Sequence, residues 1–377
     1  MRSVVVDFNE NMTHSLSPGK LLIVDEIMSM WLGKDGKYSA EGLPHVTKIV
    51  RKPEGVGAEM KAVADGDTGC ILRLDLMEGR QRMQVAEFVQ AYSAGTAVCL
   101  RLCRPWQGSG RIVIGDSAFA SVMTLMALRI LMGLFFMGCV KTASRKFPKS
   151  FIQRWFDERV TTGVPRGGHI TMHSTFETND GGAVTTFPMY AVGWHDKTCK
   201  KIISNVGTTL TAGTPSIRHW TRLEEIAGIP TTVDRTTAIP RPAMIELFYK
   251  CFSAIDVNDH IRQGLLAIER TWVTNSWPTS LFGTLFGVAI TNAFCLHKFE
   301  CKATNRDHLE FYDFIDRLGA ELIDVDNQRD PMHVRGHDAG VGIVPEPAAV
   351  ATRKYRDLLS TFCLSLYFAQ VIEFCLL

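Results

Sequence analysis

Three aspartates in this chain sit where a carboxylate needs a reason to be. Asp25 closes the apolar run Leu21-Leu22-Ile23-Val24 and is followed by Glu26. Asp116 closes Ile112-Val113-Ile114-Gly115, and Asp256 follows Ser253-Ala254-Ile255 and leads into Val257-Asn258-Asp259. A carboxylate at the end of a buried strand must be paired, hydrogen-bonded or bound to metal, because an isolated one costs several kcal/mol. Three of them on separate elements can converge on a pair of divalent cations, about 3.5–4 Å apart, of the kind that cleaves phosphodiesters. Hard oxygen ligands suit Mg²⁺ (or Mn²⁺), which keeps several waters and takes few carboxylates. On that reading Asp25, on a central strand, bridges both ions, Asp116 and Asp256 each complete one site, and Asp259 supports them from behind. The competing reading gives each aspartate a separate structural job: a strand-end turn, a helix cap and a surface residue.

The elements that must position these residues can be read from periodicity and turn chemistry. Residues 21–26 read as a buried strand. Residues 57–65 and 69–77 read as two more, joined through Asp65-Gly66-Asp67. A helix is expected from Gln84 to about Leu100, interrupted at Gly95. A strand follows over Arg111–Asp116, then a helix over Ser121–Gly133 and a strand over Phe135–Thr142. Three strands, a helix, a strand, a helix and a strand is the order of an RNase H-like core, which by fold analogy places Asp25 beside Asp116. The expected fold is therefore α/β: an RNase H-like core, with a mixed five-stranded sheet flanked by helices, interrupted by a β-rich insertion. Residues 1–149 form the first part of the core. Residues 150–236, rich in Thr, Gly and Pro with strand-like pieces at 183–192 and 201–210, form the insertion. Residues 237–325 form the second part, with a helix from Pro242 to Cys251 and a last helix from Pro278 to His297 that Gly283 and Gly287 weaken. Residues 326–377 form a polar loop and an apolar C-terminal helix over Arg353–Leu377.

Composition sets wide bounds. The net charge is +2, which neither demands nor excludes a nucleic-acid partner. Positive charge clusters locally, at Lys48, Arg51 and Lys52 and again at Lys141, Arg145, Lys146, Lys149 and Arg154. Such runs are either solvated faces or phosphate contacts. Ten cysteines, no C-x-x-C pair and no signal peptide point to reduced, intracellular thiols. The apolar run Val122–Gly138 is too short for a membrane span and carries Arg129 near its centre, so a core helix leading into a strand is expected. His333 and His337 have helical ligand spacing in a segment that reads as loop, and Cys295, His297 and Cys301 end an apolar helix. Neither set makes a strong metal site. Trp277 reads as a core tryptophan.

The words around the aspartates resemble one family. Val24-Asp25-Glu26-Ile27-Met28 to Gly33, then Lys52-Pro53, Gly57 and Lys61, look like the opening of the piggyBac transposase domain. Asp116-Ser117-Ala118-Phe119-Ala120-Ser121 resembles its second motif, and Phe147-Pro148-Lys149 the Pro-Lys that follows. Trp194-His195-Asp196-Lys197 resembles a mid-domain Trp-x-Asp-Lys pattern. Ile255-Asp256-Val257-Asn258-Asp259 resembles the third motif, and Trp277 and Asn292-Ala293 two later landmarks. The resemblance covers about residues 20–300. It implies a metal-dependent transposase that cleaves and joins DNA by cut-and-paste through an Asp triad, at TTAA targets. A nuclear location and no membrane are expected beside it, and a homodimer is one way to cover the apolar C-terminal helix. Lys52, Lys141, Arg145, Lys146 and Lys149 are the candidates to contact DNA. Ser117 stands where the family has Asn, and Ser253-Ala254 where it has Gly-Gly. The family's long N-terminal region and its cysteine-rich zinc module are expected to be missing. These departures keep open two alternatives: a decayed or host-adopted DNA-binding relative without catalysis, and an ordinary RNase H-like nuclease.

Overall fold

A computed structural model describes residues 1–329 apart from 32–44, 51–54, 142–144, 161–164, 181–182, 208–209, 211–212, 227–228 and 273. In chain order the elements are α1 (Arg2–Ser15), β1 (Leu21–Met30), β2 (Val46–Lys48), β3 (Val56–Asp65), β4 (Ile71–Leu76), α2 (Arg80–Gln84), α3 (Ala94–Cys103), β5 (Ile112–Gly115), α4 (Val122–Met132) and β6 (Phe135–Cys139). Then come α5 (Lys149–Val160), β7 (His169–Asp180), β8 (Ala183–His195), β9 (Cys199–Ser204), β10 (Ser216–Ile226), β11 (Ile229–Ile239), α6 (Ala243–Cys251), α7 (Ala254–His260), α8 (Ile268–Thr271), α9 (Trp277–Ala303) and α10 (Phe311–Arg329). A π-helical turn, Ile261–Leu266, separates α7 from α8.

The chain forms two compact units. The first holds Met1–Gly19, Glu26–Val85 and everything from Ala254 on; the second holds Lys20–Asp25 and Ala86–Ser253. The division falls inside β1, between Asp25 and Glu26.

In the first unit the strands run in the order β2-β3-β1, and β4 pairs antiparallel with β3. Helix α1 lays Val4, Val5, Phe8 and Met12 into the core. The outer edge of β4 is closed by two asparagine amides. Asn9 on α1 donates to the Leu74 carbonyl (2.8 Å) and accepts from the Leu74 N–H (2.7 Å). Asn292 on α9 does the same at Ile71, with both bonds at 2.8 Å. An edge strand otherwise presents unpaired backbone groups to other chains. Asn258 on α7 joins this arrangement, donating to the Gly69 carbonyl at 3.2 Å and lying 3.3 Å from Asn292 Oδ1. Asn292→Ala would leave a buried N–H and a buried carbonyl without partners, so a loss of about 2–4 kcal/mol is expected. Urea unfolding measures it; an unchanged midpoint would mean the edge is closed by something else.

In the second unit the order is β1-β5-β6-β9-β8-β7. Strands β1, β5 and β6 are parallel, while β9, β8 and β7 add antiparallel. This is a mixed sheet flanked by helices. The strands of residues 169–204 therefore extend the core sheet, through β9 on β6, rather than standing as a separate module. Strands β10 and β11 form a two-stranded ribbon of their own.

Several expectations needed correction. The stretch from Gln84 to Leu100 is not one helix: α2 ends at Gln84, turns follow, and α3 begins at Ala94. Gly95 lies inside α3 and does not interrupt it. The Thr- and Gly-rich segment after 150 opens with a helix, α5, whose sequence Lys-Ser-Phe-Ile-Gln-Arg-Trp-Phe is amphipathic and buries Ile152 and Phe156. Helix α9 starts at Trp277 and continues to Ala303 despite its glycines. Helix α10 runs to Arg329, so 326–329 are helical rather than loop. The expected loop from 330 and the apolar tail Arg353–Leu377 lie outside the described residues, as do His333 and His337. Among the described residues α9 alone is long and apolar enough to cross a membrane, and 72% of its apolar window is buried in the fold, as in a core helix. The run at Val122–Gly138 is, as expected, a helix leading into a strand.

Candidate metal centre

Parallel pairing of β1 with β5 brings the first two aspartates together. The register matches Leu21 with Ile112 and ends with Val24 opposite Gly115. Asp25 and Asp116 are the next residue on each strand. Both are buried, at 6% and 5% exposure. One ligand oxygen each from Asp25, Asp116 and Glu26 can lie within 4.8 Å of one another. Among the described residues no other set of three or more such side chains is as close.

The loop after β5 holds Asp116 in a fixed pose. Its Oδ1 accepts from the Ala118 N–H at 2.8 Å, and its carbonyl accepts from the N–H groups of Phe119 (3.1 Å) and Ala120 (2.9 Å). This is Asx-turn chemistry, which fixes the side-chain torsion. Ser121 caps α4 by accepting from the Thr124 N–H at 3.0 Å. The Thr124 hydroxyl reaches back to the Phe119 carbonyl at 2.7 Å and lies 2.8 Å from the Thr96 hydroxyl on α3. Gly133, left-handed at φ 62°, ends the helix. Two further glycines make room. Gly115 pairs with Gly138, and a Cβ on Gly115 would stand 3.1 Å from Phe119 Cβ; one on Gly138 would stand 2.7 Å from Ala120 Cβ. At Gly95 a Cβ would collide with the Ala118 carbonyl, so α3 lies directly against the Asp116 turn because that position has no side chain.

The other predicted residues are placed as follows. Asp256 is in the first turn of α7, in the first unit, and is exposed. Asp259 is buried at 5% and paired with Arg262 at 2.9 Å. Lys141, Arg145 and Lys146 are exposed and Lys149 is half-buried. Lys52 lies outside the described residues. Glu26, which sequence reasoning assigned no role, is 2% exposed and 3.9 Å from Lys61, a lysine that also pairs with Glu59. Its signal was its place directly after Asp25.

The remaining landmarks are structural. Trp194 is buried and donates from Nε1 to the Pro240 carbonyl at 3.0 Å. Asp196 pairs with Arg218 at 2.6 Å and Arg166 at 3.5 Å. Trp277 opens α9, one residue before Pro278. Cys295 is buried, which pushes its thiol up to about 11, and burial pushes His297 below the usual imidazole range. Cys301 lies 3.8 Å from the His297 ring.

Comparison with known proteins agrees with this architecture. A family model described as Transposase IS4 matches residues 1–294. A solved piggyBac transposase, in a synaptic complex with hairpin DNA, superposes with a TM-score of 0.55 at 16% identity. The match covers 94% of this chain and 60% of that one, so the chain spans about three fifths of that transposase's length. No curated protein matches. Burial of paired aspartates at the ends of adjacent parallel strands, an RNase H-like sheet order shared with the solved piggyBac transposase and a family match over most of the sequence lead to one assignment: the chain belongs to the family described as Transposase IS4.

Proposed function

We propose that this protein cleaves and joins DNA strands in cut-and-paste transposition, in a metal-dependent reaction carried by Asp25, Asp116 and Asp256. The observation that carries the reading is the juxtaposition of the Asp25 and Asp116 carboxylates where the β1–β5 ladder ends. The donor set fits a hard divalent cation: carboxylate oxygens only, those of Asp25 and Asp116 buried and that of Asp116 fixed by a backbone N–H. Asp25 and Asp116 would hold that cation from two strands, and the third carboxylate would be that of Asp256, the family's third motif. When bound, two Mg²⁺ (or Mn²⁺) ions activate the attacking oxygen and stabilise the leaving one.

The DNA partner is supported by the relative solved with hairpin DNA and by the exposed cations Lys141, Arg145 and Lys146 in the same unit as Asp25 and Asp116. Lys149 and Lys52 extend the proposed contact. TTAA targeting follows from the family resemblance, and action as a homodimer and a nuclear location belong to the same proposal.

The test is cleavage of a labelled hairpin oligonucleotide by the full chain. Mg²⁺-dependent opening that EDTA abolishes is the expected result. Binding without opening, in Mg²⁺ and in Mn²⁺, would instead fit a non-catalytic DNA-binding relative.

A further inference from the structure

The second unit holds a cleft that the metal centre does not use. Its floor is a patch of one sheet face. The register sets Met172 of β7 opposite Ala191 of β8, Ser174 opposite Met189, and Ala191 opposite Ile203 of β9. Residues two apart on a strand share a face, so these five side chains lie on one side of the sheet. Buried Phe147 and exposed Lys146, in the connection from β6 to α5, also line the cleft. Its volume is about 290 Å³, at the small end of the range for ligand pockets.

The cleft shares its sheet face with the Asp116 turn, in the same unit. The row Met172, Ala191, Ile203 continues sideways to Gly138 on β6 and Gly115 on β5. Asp116 follows Gly115 directly. A Cβ on Gly138 would stand 2.7 Å from Ala120 Cβ, so the turn after Asp116 lies over that row. Ala191 is three strands from Gly115 and Met172 is four, about 14–19 Å at the usual strand spacing. At about 3.4 Å per nucleotide, that is about four to six nucleotides of a stacked strand.

The lining suits a flat, polarisable ring carried beside negative charge. Met172 and Met189 are half-buried thioethers, which adapt to ring faces and contact them favourably. Phe147 adds an aromatic surface, and Ser174 offers a hydroxyl to a polar ring edge. Among the described residues that line the cleft none is acidic. Lys146 is held at φ 66°, a conformation that costs energy outside glycine and collects at functional sites. With Lys141 and Arg145, also exposed in the connection after β6, it offers charge to a phosphate chain, which an apolar peptide side chain would not need. A DNA hairpin supplies such a ring. Where its strand turns back on itself the bases cannot all stay paired and stacked, and an unpaired base is the cheapest to extrude. We infer that the cleft receives one unstacked nucleobase of the hairpin, within about six nucleotides of the reacting phosphate, and so sets the register of the strand on Asp25 and Asp116. The inference rests on the proposed reaction with DNA.

The experiment uses the full chain and a hairpin oligonucleotide in EDTA, so that binding is read without cleavage. A photoreactive 5-iododeoxyuridine is placed in turn at each nucleotide near the tip, and crosslinked peptides are identified by mass spectrometry. One position is expected to crosslink to Phe147, Met172 or Met189. In parallel, Ser174→Trp fills the cleft from an exposed position on its floor. It is expected to weaken hairpin binding about tenfold, within the worth of one stacked base. An abasic site at the crosslinking position should cost the wild type the same factor and cost Ser174→Trp nothing more. Crosslinks confined to other parts of the chain overturn the inference. So does a folded Ser174→Trp protein that binds like wild type, or losses from the variant and the abasic site that multiply. If Ser174→Trp does not fold, the crosslinks of the wild type decide alone. If the wild type does not bind the hairpin at all, the DNA reading falls and takes the inference with it. If it binds and opens the hairpin without a crosslink in the cleft, the inference alone falls.

Discussion

Asp116→Asn is expected to reduce Mg²⁺-dependent hairpin cleavage by about three orders of magnitude, equivalent to about 4 kcal/mol at the transition state. The substitution is close to isosteric. The amide oxygen can still accept from the Ala118 N–H, so the turn that carries residue 116 should persist. What disappears is a charged ligand opposite Asp25, in a buried place where charge on a ligand matters most. Single-turnover cleavage under saturating Mg²⁺ measures the loss, and urea unfolding checks the fold. Cleavage within tenfold of wild type, in a folded variant, would move the chemistry away from the β1–β5 junction.

Gly57→Ala should have the largest effect on stability. Strand β3 passes so close to β1 that a Cβ at position 57 would overlap the Ser29 carbonyl and stand 2.7 Å from the Trp31 nitrogen. Neither obstacle is the end of a flexible side chain. Both are backbone, and the Trp31 N–H donates to the Val56 carbonyl at 3.1 Å beside them. Forced separation of the strands costs about 3 kcal/mol or more, at the upper end of overpacking penalties. A urea midpoint within error of wild type would show that the pair slides apart without cost. Gly57 is one of the residues that carries the family resemblance, and here its reason is the approach of two backbones.

Much of this was legible in the sequence because it is local. Apolar runs that end abruptly in Asp25 and Asp116 announce buried strand ends. Ser121 and Gly133 bracket α4 as cap and stop, and both do so in the structure. That the first strand lies beside the fourth followed from the order of elements by fold analogy; that they run parallel is seen in the structure. What stayed hidden depends on tertiary neighbours. Gly95 and Gly287 read as helix breakers, since propensity scores only the local penalty. Their actual partners, the Ala118 carbonyl and the Arg262 stem, are 23 and 25 residues away in sequence. Helix α5 was lost in a window dominated by Thr and Gly further on. Asp259 was expected to support the metal ligands, and nothing in the spacing of charges shows that Arg262 folds back onto it.

The sealing of β4 also has a meaning in time. Asn9 is synthesised before Leu74 and can cover its share of the edge at once. Ile71 must wait for Asn292, 221 residues later. At the usual pace of translation, about 5–20 residues per second, that interval lasts about 10–45 s. Throughout it the whole of Ala86–Ser253 emerges and can fold around the Lys20–Asp25 segment, while the edge of β4 at Ile71 stays uncovered. The backbone groups of Ile71 therefore stay open to pairing with another strand until α9 arrives.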